Sequence, residues 1–515
     1  MVAVHEEREV KYDVEEGVEL PGLDAVLDGV AGSSLVLAET STYRLQATYF
    51  DTADRSLGRA GLTLRRRTGG ADAGWHLKVP NEQGARTEVR LPLGRPTVPA
   101  RLQQMLWART RGQELVAVAV LHTLRTVQLV TDRAGTPMVE LADDRVEGRR
   151  LASLLPQAPS AEEDAVSWRE VEVEAIEAGR EVFDAVDRRL RDLGLRVSET
   201  ASKLQRVMGD RSVSVGDRIP ERLTAQSAAG QVVRAYLSEQ VEQIVSRDIL
   251  VRLDVPDSVH KMRVATRRVR SALKTFRPLL AREQTNPVRA ELKWLAAQLG
   301  AARDAEVLRM RLRHTVESLG EPPGDDPAPA LGSRLGGEYD RAHQRLVTTL
   351  NSARYHRLLE ALSTLVVEPP VRRKGIRPAS AVLPKRVARS YGQLRALVKQ
   401  IADAPADEQD HLLHEARKAA KQARYAGEAV TSVFGDDAAA FASAMEAVQE
   451  ELGEHQDSVV TRAKLRHLLS GADVPTAFTL GRLYAVEEAR ARESTDRFER
   501  TWAASSQKSL RAWLK

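Results

Sequence analysis

The chain has 515 residues, a formal net charge of +5, 42% hydrophobic, 29% charged and 4% aromatic residues, and no cysteine. That length predicts two or three domains, each long enough to bury a core, and the lack of cysteine excludes disulfides and thiolate metal sites. No apolar run reaches the roughly eighteen residues of a membrane helix, and the acidic N-terminus lacks a signal-peptide plan, so a cytoplasmic protein is expected.

The first predicted strand contains Glu7-Arg8-Glu9-Val10-Lys11. Alternate residues of an extended chain share a face, so Glu7, Glu9 and Lys11 point one way. Burying two carboxylates beside an ammonium is costly unless metal ions and a polyanion complete the site. Taken alone, the pattern fits a solvated strand face equally well.

Up to about residue 210 short alternating segments follow: YRLQATYFDT, LTLRRR, GWHLKVP, RTEVRLPL, HTLRTVQLV, PMVELADDRV and SWREVEVEAI. Turn formers separate them, as at Thr68-Gly69-Gly70 before Trp75, which predicts a hairpin. An antiparallel β domain of about eight strands is expected, with helices only around Leu102 to Leu106 and Val182 to Leu193.

Charge recurs at period two in several of these strands. Arg65 and Arg67 share a face, as do His76 and Lys78, then Arg86, Glu88 and Arg90, and finally Glu170, Glu172 and Glu174. In a hollow barrel those faces line the lumen, and Leu62, Leu64, Leu77, Val89, Val171 and Val173 pack outside. Lys11, Arg65, Arg67, Lys78, Arg86, Arg90 and Arg125 would neutralise a run of phosphates, while Glu7, Glu9, Glu170 and Glu172 offer hard oxygen ligands to Mg²⁺ or Mn²⁺. Glu88 and Glu174 would hold a second metal or the attacking water. Asp143 and Asp144 either join the metal site or form a turn between strands.

Together, Glu7-x-Glu9-x-Lys11, Tyr49-Phe50-Asp51-Thr52, Leu64-Arg65-Arg66-Arg67, Trp75 to Lys78, Arg86-Thr87-Glu88, Arg125, Glu170-x-Glu172-x-Glu174 and Ser202-Lys203 resemble, in order and spacing, the CYTH family of triphosphate tunnel metalloenzymes over residues 1 to about 210. The resemblance implies an eight-stranded antiparallel tunnel that needs a divalent metal and acts on inorganic triphosphate, thiamine triphosphate, RNA 5′-triphosphate ends or ATP. It also places Lys203 among the substrate-binding residues.

Beyond the polar stretch Val213 to Gln226, Leu, Ala, Val and Arg recur at helical spacing to Lys515, with connectors expected around Glu321 to Gly337 and Glu368 to Pro384. This half is predicted all α. His260, Arg263, Arg267, Arg270 and Lys274 form one stripe of a helix, opposite Met262, Ala265, Val269, Leu273 and Phe276. No acid interleaves that basic stripe, as a solvated face usually requires. The spacing repeats at His414, Arg417, Lys421 and Arg424, and Leu299-Gly300 with Arg303-Asp304 repeats as Leu452-Gly453 with Gln456-Asp457. A duplicated module with facing basic stripes would form a positive cleft for an extended polyanion, and interface use is the rival reading.

Residues 222 to 515 resemble the CHAD domain, through HKMRVATRRVRSALKTF and LGAARDAEV and weaker second copies HEARKAAKQARYAGE and LGEHQDSVV. That resemblance implies two antiparallel four-helix bundles, within about 222–367 and 385–515, that bind inorganic polyphosphate. The second copy has Lys421, Gln422 and Gln456 where the first has Arg267, Arg268 and Arg303, so its half is expected to grip less tightly.

The whole is thus expected to be an α+β multidomain protein: a metal-dependent triphosphatase tunnel at 1–210 joined to a polyphosphate-binding helical domain, with granule association following from that ligand. Two alternatives stand beside it, an organic triphosphatase or nucleotidyl cyclase, and a catalytically silent polyphosphate receptor. Nucleic acid is disfavoured, since few aromatics are present to stack on bases, and no membrane partner is indicated.

Overall fold

The computed structural model describes residues 3–20, 26, 35–80, 86–151, 165–200, 202–209, 222–318, 328–470 and 472–515, with side chains described except at 3–7, 316–318, 328–335 and 406–407. The chain divides into two units, Met1–Arg218 and Ile219–Lys515.

The first unit is a closed antiparallel barrel. Its strands are β1 (Ala3–Val14), β2 (Val36–Asp51), β3 (Thr63–Thr68), β4 (Gly74–Pro80), β5 (Arg86–Pro92), β6 (Val116–Thr131), β7 (Pro137–Arg150) and β8 (Ala165–Ala175). They run in the order β5-β4-β3-β2-β6-β7-β8-β1, and β1 also pairs with β5, which closes the ring. These are the eight expected strands. A two-residue β9 (Arg196–Val197) adds to the edge of β1. Gly69 stands in the β3–β4 hairpin at φ +80, where a Cβ would meet the Arg44 carbonyl at 2.1 Å.

Alternation fixes the two faces. Tyr12, Val171 and Val173 point outwards and pack with Val130, Val139 and Leu141 against Phe183, Val186 and Leu190. Leu64, Leu77 and Val89 are likewise buried on the outer side.

Among the described residues, the short helices attached to the barrel include α1 (Ser56–Arg59), α2 (Ala100–Thr110), α3 (Arg180–Asp192) and α4 (Lys203–Met208). Asp51 builds the turn into α1, because its buried carboxylate accepts from the N–H groups of Thr52, Leu57 and Gly58. Its place in the Tyr49-Phe50-Asp51-Thr52 motif is therefore architectural. Helix α4 packs Leu204, Val207 and Met208 against Ala47, Tyr49, Val118, Ala119, Leu121 and Val146. Gly148 makes room for it, since a Cβ there would stand 2.4 Å from Val207 Cγ2.

The turn alternative for Asp143 and Asp144 is overturned: both lie within unbroken β7. The chain reverses earlier, where Asp132 Oδ1 accepts from the N–H groups of Ala134 and Thr136 at 2.8 Å each. Pro137 then begins the strand, a position at which a missing N–H is tolerated.

The second unit is all helix: α5 (Ala229–Arg252), α6 (Ser258–Thr275), α7 (Arg282–Ser318), α8 (Ala328–Leu350), α9 (Ala353–Val367), α10 (Ala379–Ala402), α11 (Ala406–Glu428), α12 (Thr431–Leu469, kinked at Gly435) and α13 (Val474–Ser505). Helices α5 to α9 make the first bundle, which holds one helix more than four, and α10 to α13 make the second. A pseudo-two-fold relates their starts: Ala229 N donates to Arg377 O and Ala379 N to Ser227 O, both at 2.9 Å.

Both expected connectors are shorter than predicted. Residues 319–327 lie outside the described residues, but 328–337 belong to α8, and the second connector ends where α10 begins at Ala379. Pro384 lies inside α10, in its second turn, where it removes one i→i−4 hydrogen bond, and is buried.

Candidate functional site

The barrel encloses a cavity of about 590 Å³ lined by Glu9, Lys11, Tyr49, Arg65, Arg67, Lys78, Arg86, Arg90, Arg125, Glu172, Glu174 and Lys203, among others. Every substrate-binding residue expected in the tunnel therefore faces one space. Glu7 lies in β1 opposite Arg86, and its side chain is outside the described residues. Glu174 stands across from Glu9 and Glu140.

The carboxylates converge on one wall. Asp144, Glu170 and Glu172 place one oxygen each within 4.8 Å of one another. The sheet register causes this, because Asp144 on β7 pairs directly with Glu170 and Ala142 with Glu172, all on the lumen side of neighbouring strands. Lys203 Nζ lies 2.9 Å from Asp144, 2.7 Å from Glu170 and 2.6 Å from Glu172. Ser202 caps α4 by accepting from Gln205 N at 3.1 Å, which aims the next residue, Lys203, into the cluster. Arg125 grips Asp144 through two parallel bonds of 2.8 and 2.6 Å and reaches Glu172 as well.

Glu170 offers its oxygens unequally. Oε2 accepts from Trp168 Nε1 at 2.6 Å, whereas buried Oε1 makes no directed hydrogen bond and meets only the Lys203 charge. A buried carboxylate oxygen aimed into a cluster of two more carboxylates suits a hard divalent cation. Burial works against ionising Asp144 and Glu172, yet both are held below the usual carboxylate range, Asp144 by Lys203 and Arg125 and Glu172 by Lys11, Lys203, Arg125 and Lys78. Asp144 and Glu172 stay anionic at neutral pH.

Glu9, on β1 between β8 and β5, sits where the acidic wall meets the basic one. It lies 3.5 Å from Lys11, 3.6 Å from Lys78 and 3.3 Å from Arg86. Arg65 faces Tyr49 across the β2–β3 register. Arg67, bonded to Asp72, is pushed down to about 9 by burial and by the Arg65 and Arg125 charges. A group of cations lacking enough counter-charge is what an arriving polyanion would satisfy.

Glu88 sits deeper than a water-orienting base would. It is fully buried, bonded to His76 Nδ1 at 3.0 Å and to Arg90, and Arg65 stands 4.0 Å away. Burial opposes its ionisation, but the His76 bond and the Lys78 and Arg65 charges hold it below the usual range. His76 Nε2 meets the Asp72 carbonyl at 2.9 Å, so the histidine ties Glu88 to the β3–β4 turn. Sequence reading placed His76 on a charged face and Tyr49 in a family motif without giving either a role, and passed over Asp72, because alternation shows which face a residue takes but not what it touches.

The basic stripes of the second unit lie on α6 and α11, which pack together. Their duplication extends to side-chain detail. Arg263 Nη1 bonds Asp304 at 3.0 Å beside Gly300, and Arg417 Nη2 stands 3.5 Å from Asp457 beside Gly453. Lys421 is pushed down to about 6 by burial and by the Arg417, Arg267 and Arg263 charges, which places these four cations together across the two copies.

The stripes are not uniform. Arg424 is bonded to Glu428 and Glu446, both at 2.7 Å, and Arg303 to Glu306 at 2.9 Å. His260 and His414 are shifted below the ordinary histidine range, first by burial and then by Arg303 and Lys418 respectively. Both are therefore neutral near pH 7.

A closed tunnel lined by carboxylates and cations, in a chain that continues into a duplicated helical module, defines a two-domain protein of a charged β tunnel and an α-helical domain. The CYTH domain family matches residues 5–207 and the CHAD domain family residues 235–466. An uncharacterised protein from Mycobacterium tuberculosis (strain CDC 1551 / Oshkosh) is 35% identical over 523 residues, 96% of each chain. The chain belongs to the proteins that join a CYTH triphosphate tunnel domain to a CHAD domain. Solved structures similar to it include PptA from Streptomyces chartreusis, 22% identical, TM-score 0.46, covering 54% of this chain and 100% of that one. Another is the CHAD domain from the plant Ricinus communis, 26% identical, TM-score 0.45, covering 55% and 94%. Among the described residues, no helix is long and apolar enough to cross a membrane.

Proposed function

We propose that the tunnel hydrolyses inorganic triphosphate with Mg²⁺ or Mn²⁺ and that the helical domain binds long-chain polyphosphate. The observation that carries the first part is the segregation of charge around one cavity: Glu172 on β8, with Asp144 and Glu170 buried behind it, lines the space shared with Arg65, Arg67, Lys78, Arg86 and Arg90 on β3 to β5. Most of the lining is charged, which suits a substrate that is phosphate from end to end.

Arg65, Arg67, Lys78, Arg86 and Arg90 hold the phosphate run by charge-assisted hydrogen bonds, and Lys11 and Arg125 stand between the two walls. Asp144, Glu170 and Glu172 would hold the divalent ion, with Glu9 and Glu7 nearest on β1. When bound, that ion offsets negative charge on the phosphoryl group and lowers the pKa of coordinated water. Glu174, at the cavity wall, is placed to orient the attacking water. Lys203 must exchange some of its carboxylate contacts for phosphate as substrate and ion enter. Glu88 fixes Arg90 and Arg65 rather than touching substrate.

The second part rests on the basic side chains Arg263, Arg267, Arg417 and Lys421, which converge with Asp304 and Asp457 as their ion-pair partners among the described residues. Such a ligand would place the protein at cytoplasmic polyphosphate granules.

The test is phosphate release from triphosphate, ATP, thiamine triphosphate and long-chain polyphosphate, each with Mg²⁺, Mn²⁺ or chelator. Fastest metal-dependent release from inorganic triphosphate is expected. A preference for ATP or thiamine triphosphate would replace the substrate assignment, and no metal-dependent release from any of the four would leave a binding protein.

A further inference from the structure

The basic surface of α6 continues past the cluster shared with α11. Arg270 and Lys274 lie one and two turns further on, Arg277 follows in the 3-10 turn Arg277–Leu279, and Arg289 comes from the start of α7, packed alongside. The four repel one another. After burial, Arg289 is the charge that most lowers Arg270 and Lys274, and Arg277 is the charge that lowers Arg289. Among the described residues none of the four has a carboxylate within ion-pair distance, and the Nε atoms of Arg277 and Arg289 are buried without a hydrogen-bond partner. Arg289 makes one long contact, 3.4 Å to Asn286 Oδ1.

The second copy ends differently. Arg424 and Glu428 occupy the places of Arg270 and Lys274, and Thr431 and Ala442 those of Arg277 and Arg289. Glu428 accepts from Arg424 at 2.7 Å and from Arg268 at 2.8 Å, so that end is closed by an internal carboxylate. Equal cores with unequal ends give the cleft a direction.

We infer that the polyanion site extends in the first bundle only, over Arg270, Lys274, Arg277 and Arg289, so that a phosphate chain gripped at the pseudo-two-fold leaves the cleft one way. This rests on the polyphosphate reading above. Arg277 and Arg289 then act as a subsite for chain length, filled by a long polyphosphate and out of reach of a few phosphates held at the central cluster. A row of cations at fixed spacing, with Glu415 offsetting Lys274 from beyond ion-pair distance, suits an extended, flexible polyanion whose charge recurs along its length.

The experiment titrates long-chain inorganic polyphosphate into the full chain, without divalent ions, at two salt concentrations. It compares wild type with Arg277→Ala/Arg289→Ala, with Arg277→Lys/Arg289→Lys, and with Arg341→Ala/Arg345→Ala on exposed positions of α8. The first variant is expected to bind about tenfold more weakly or worse. Its salt dependence should be shallower by roughly 1.4–1.8 in the log-log slope, as two fewer contacts release counterions. The lysine pair should recover most of the affinity, which a packing role for the arginines would not allow, and the α8 pair should match wild type. Equal losses in both alanine pairs, or none in either while wild type binds, overturn the subsite and leave the polyphosphate reading standing. A wild-type chain that binds no polyphosphate removes that reading and the subsite with it.

Discussion

Lys203 Nζ stands 2.6 Å from Glu172 Oε1, so the first residue of α4 meets the central carboxylate of β8 inside the tunnel. The same ammonium serves Asp144 and Glu170. One lysine thus holds together three carboxylates that would otherwise repel, at the place suited to a divalent ion.

Lys203→Met should therefore destabilise the metal-free protein by about 3 to 5 kcal/mol, the usual result of removing one partner from a buried ion network. Mg²⁺ should restore much of the loss, because an ion that binds only the folded state stabilises it. Thermal melting of both proteins with and without Mg²⁺ reads this directly. An equal Mg²⁺ shift in the two would separate the lysine from the metal position.

Glu172→Gln and Glu9→Gln should each cut metal-dependent turnover about a hundredfold or more while the protein stays folded, since each removes a charge and almost no volume. Asp144→Asn should resemble Glu172→Gln in raising the metal concentration needed, whereas Glu9→Gln, beside Lys78 and Arg86, should act more on KM. Steady-state kinetics across a metal titration distinguishes them.

Gly148→Ala would press a methyl group into Val207, 2.4 Å away. Overpacking of this kind usually costs about 1–3 kcal/mol. The more telling outcome is functional: displacing α4 moves Lys203, so turnover should fall by more than stability alone explains. Urea midpoints and kcat measured on one preparation give both quantities.

Polyphosphate binding should strengthen as pH falls from about 8 to about 6. Lys421 is pushed down to about 6 in the free cleft, with Arg417, Arg267 and Arg263 against it and Asp457 for it, so near pH 7.5 it is mostly neutral. A bound polyanion favours its charged form, so binding takes up a proton in that window. His260 and His414, both held below the ordinary range, charge only towards or below its lower end. Lys421→Arg should bind well at pH 8 and lose most of the pH dependence. Titrations at the two pH values decide it, and a wild type equally tight at both would remove Lys421 from the site.

Much of this was legible in the sequence because a strand alternates strictly. Period-two charge placed Lys11, Arg65, Arg67, Lys78 and Glu172 on lumen faces, and offset matching found both helical stripes. Partners across strands were less legible. Asp144 follows another aspartate in a segment that also reads as a turn, and only the β7–β8 register sets it beside Glu170. Arg424 looked as free as Arg270 because its carboxylates come from the next turn of α11 and from α12. Arg277 and Arg289 escaped notice because they continue the stripe across a chain break between helices, where periodicity stops.

Barrel closure sets an order of events in biosynthesis. Strand β1 is made first, yet it pairs with β5 and with β8, and its Lys11 bonds Glu172, 161 positions later. Contacts so distant along the chain form slowly, since a long loop must close before they can reward it. The first strand of the barrel to be made therefore waits for nearly the whole domain. Its alternating charges keep it hydrated in the interval, so the residues that make the tunnel reactive also guard the unfinished edge against premature pairing.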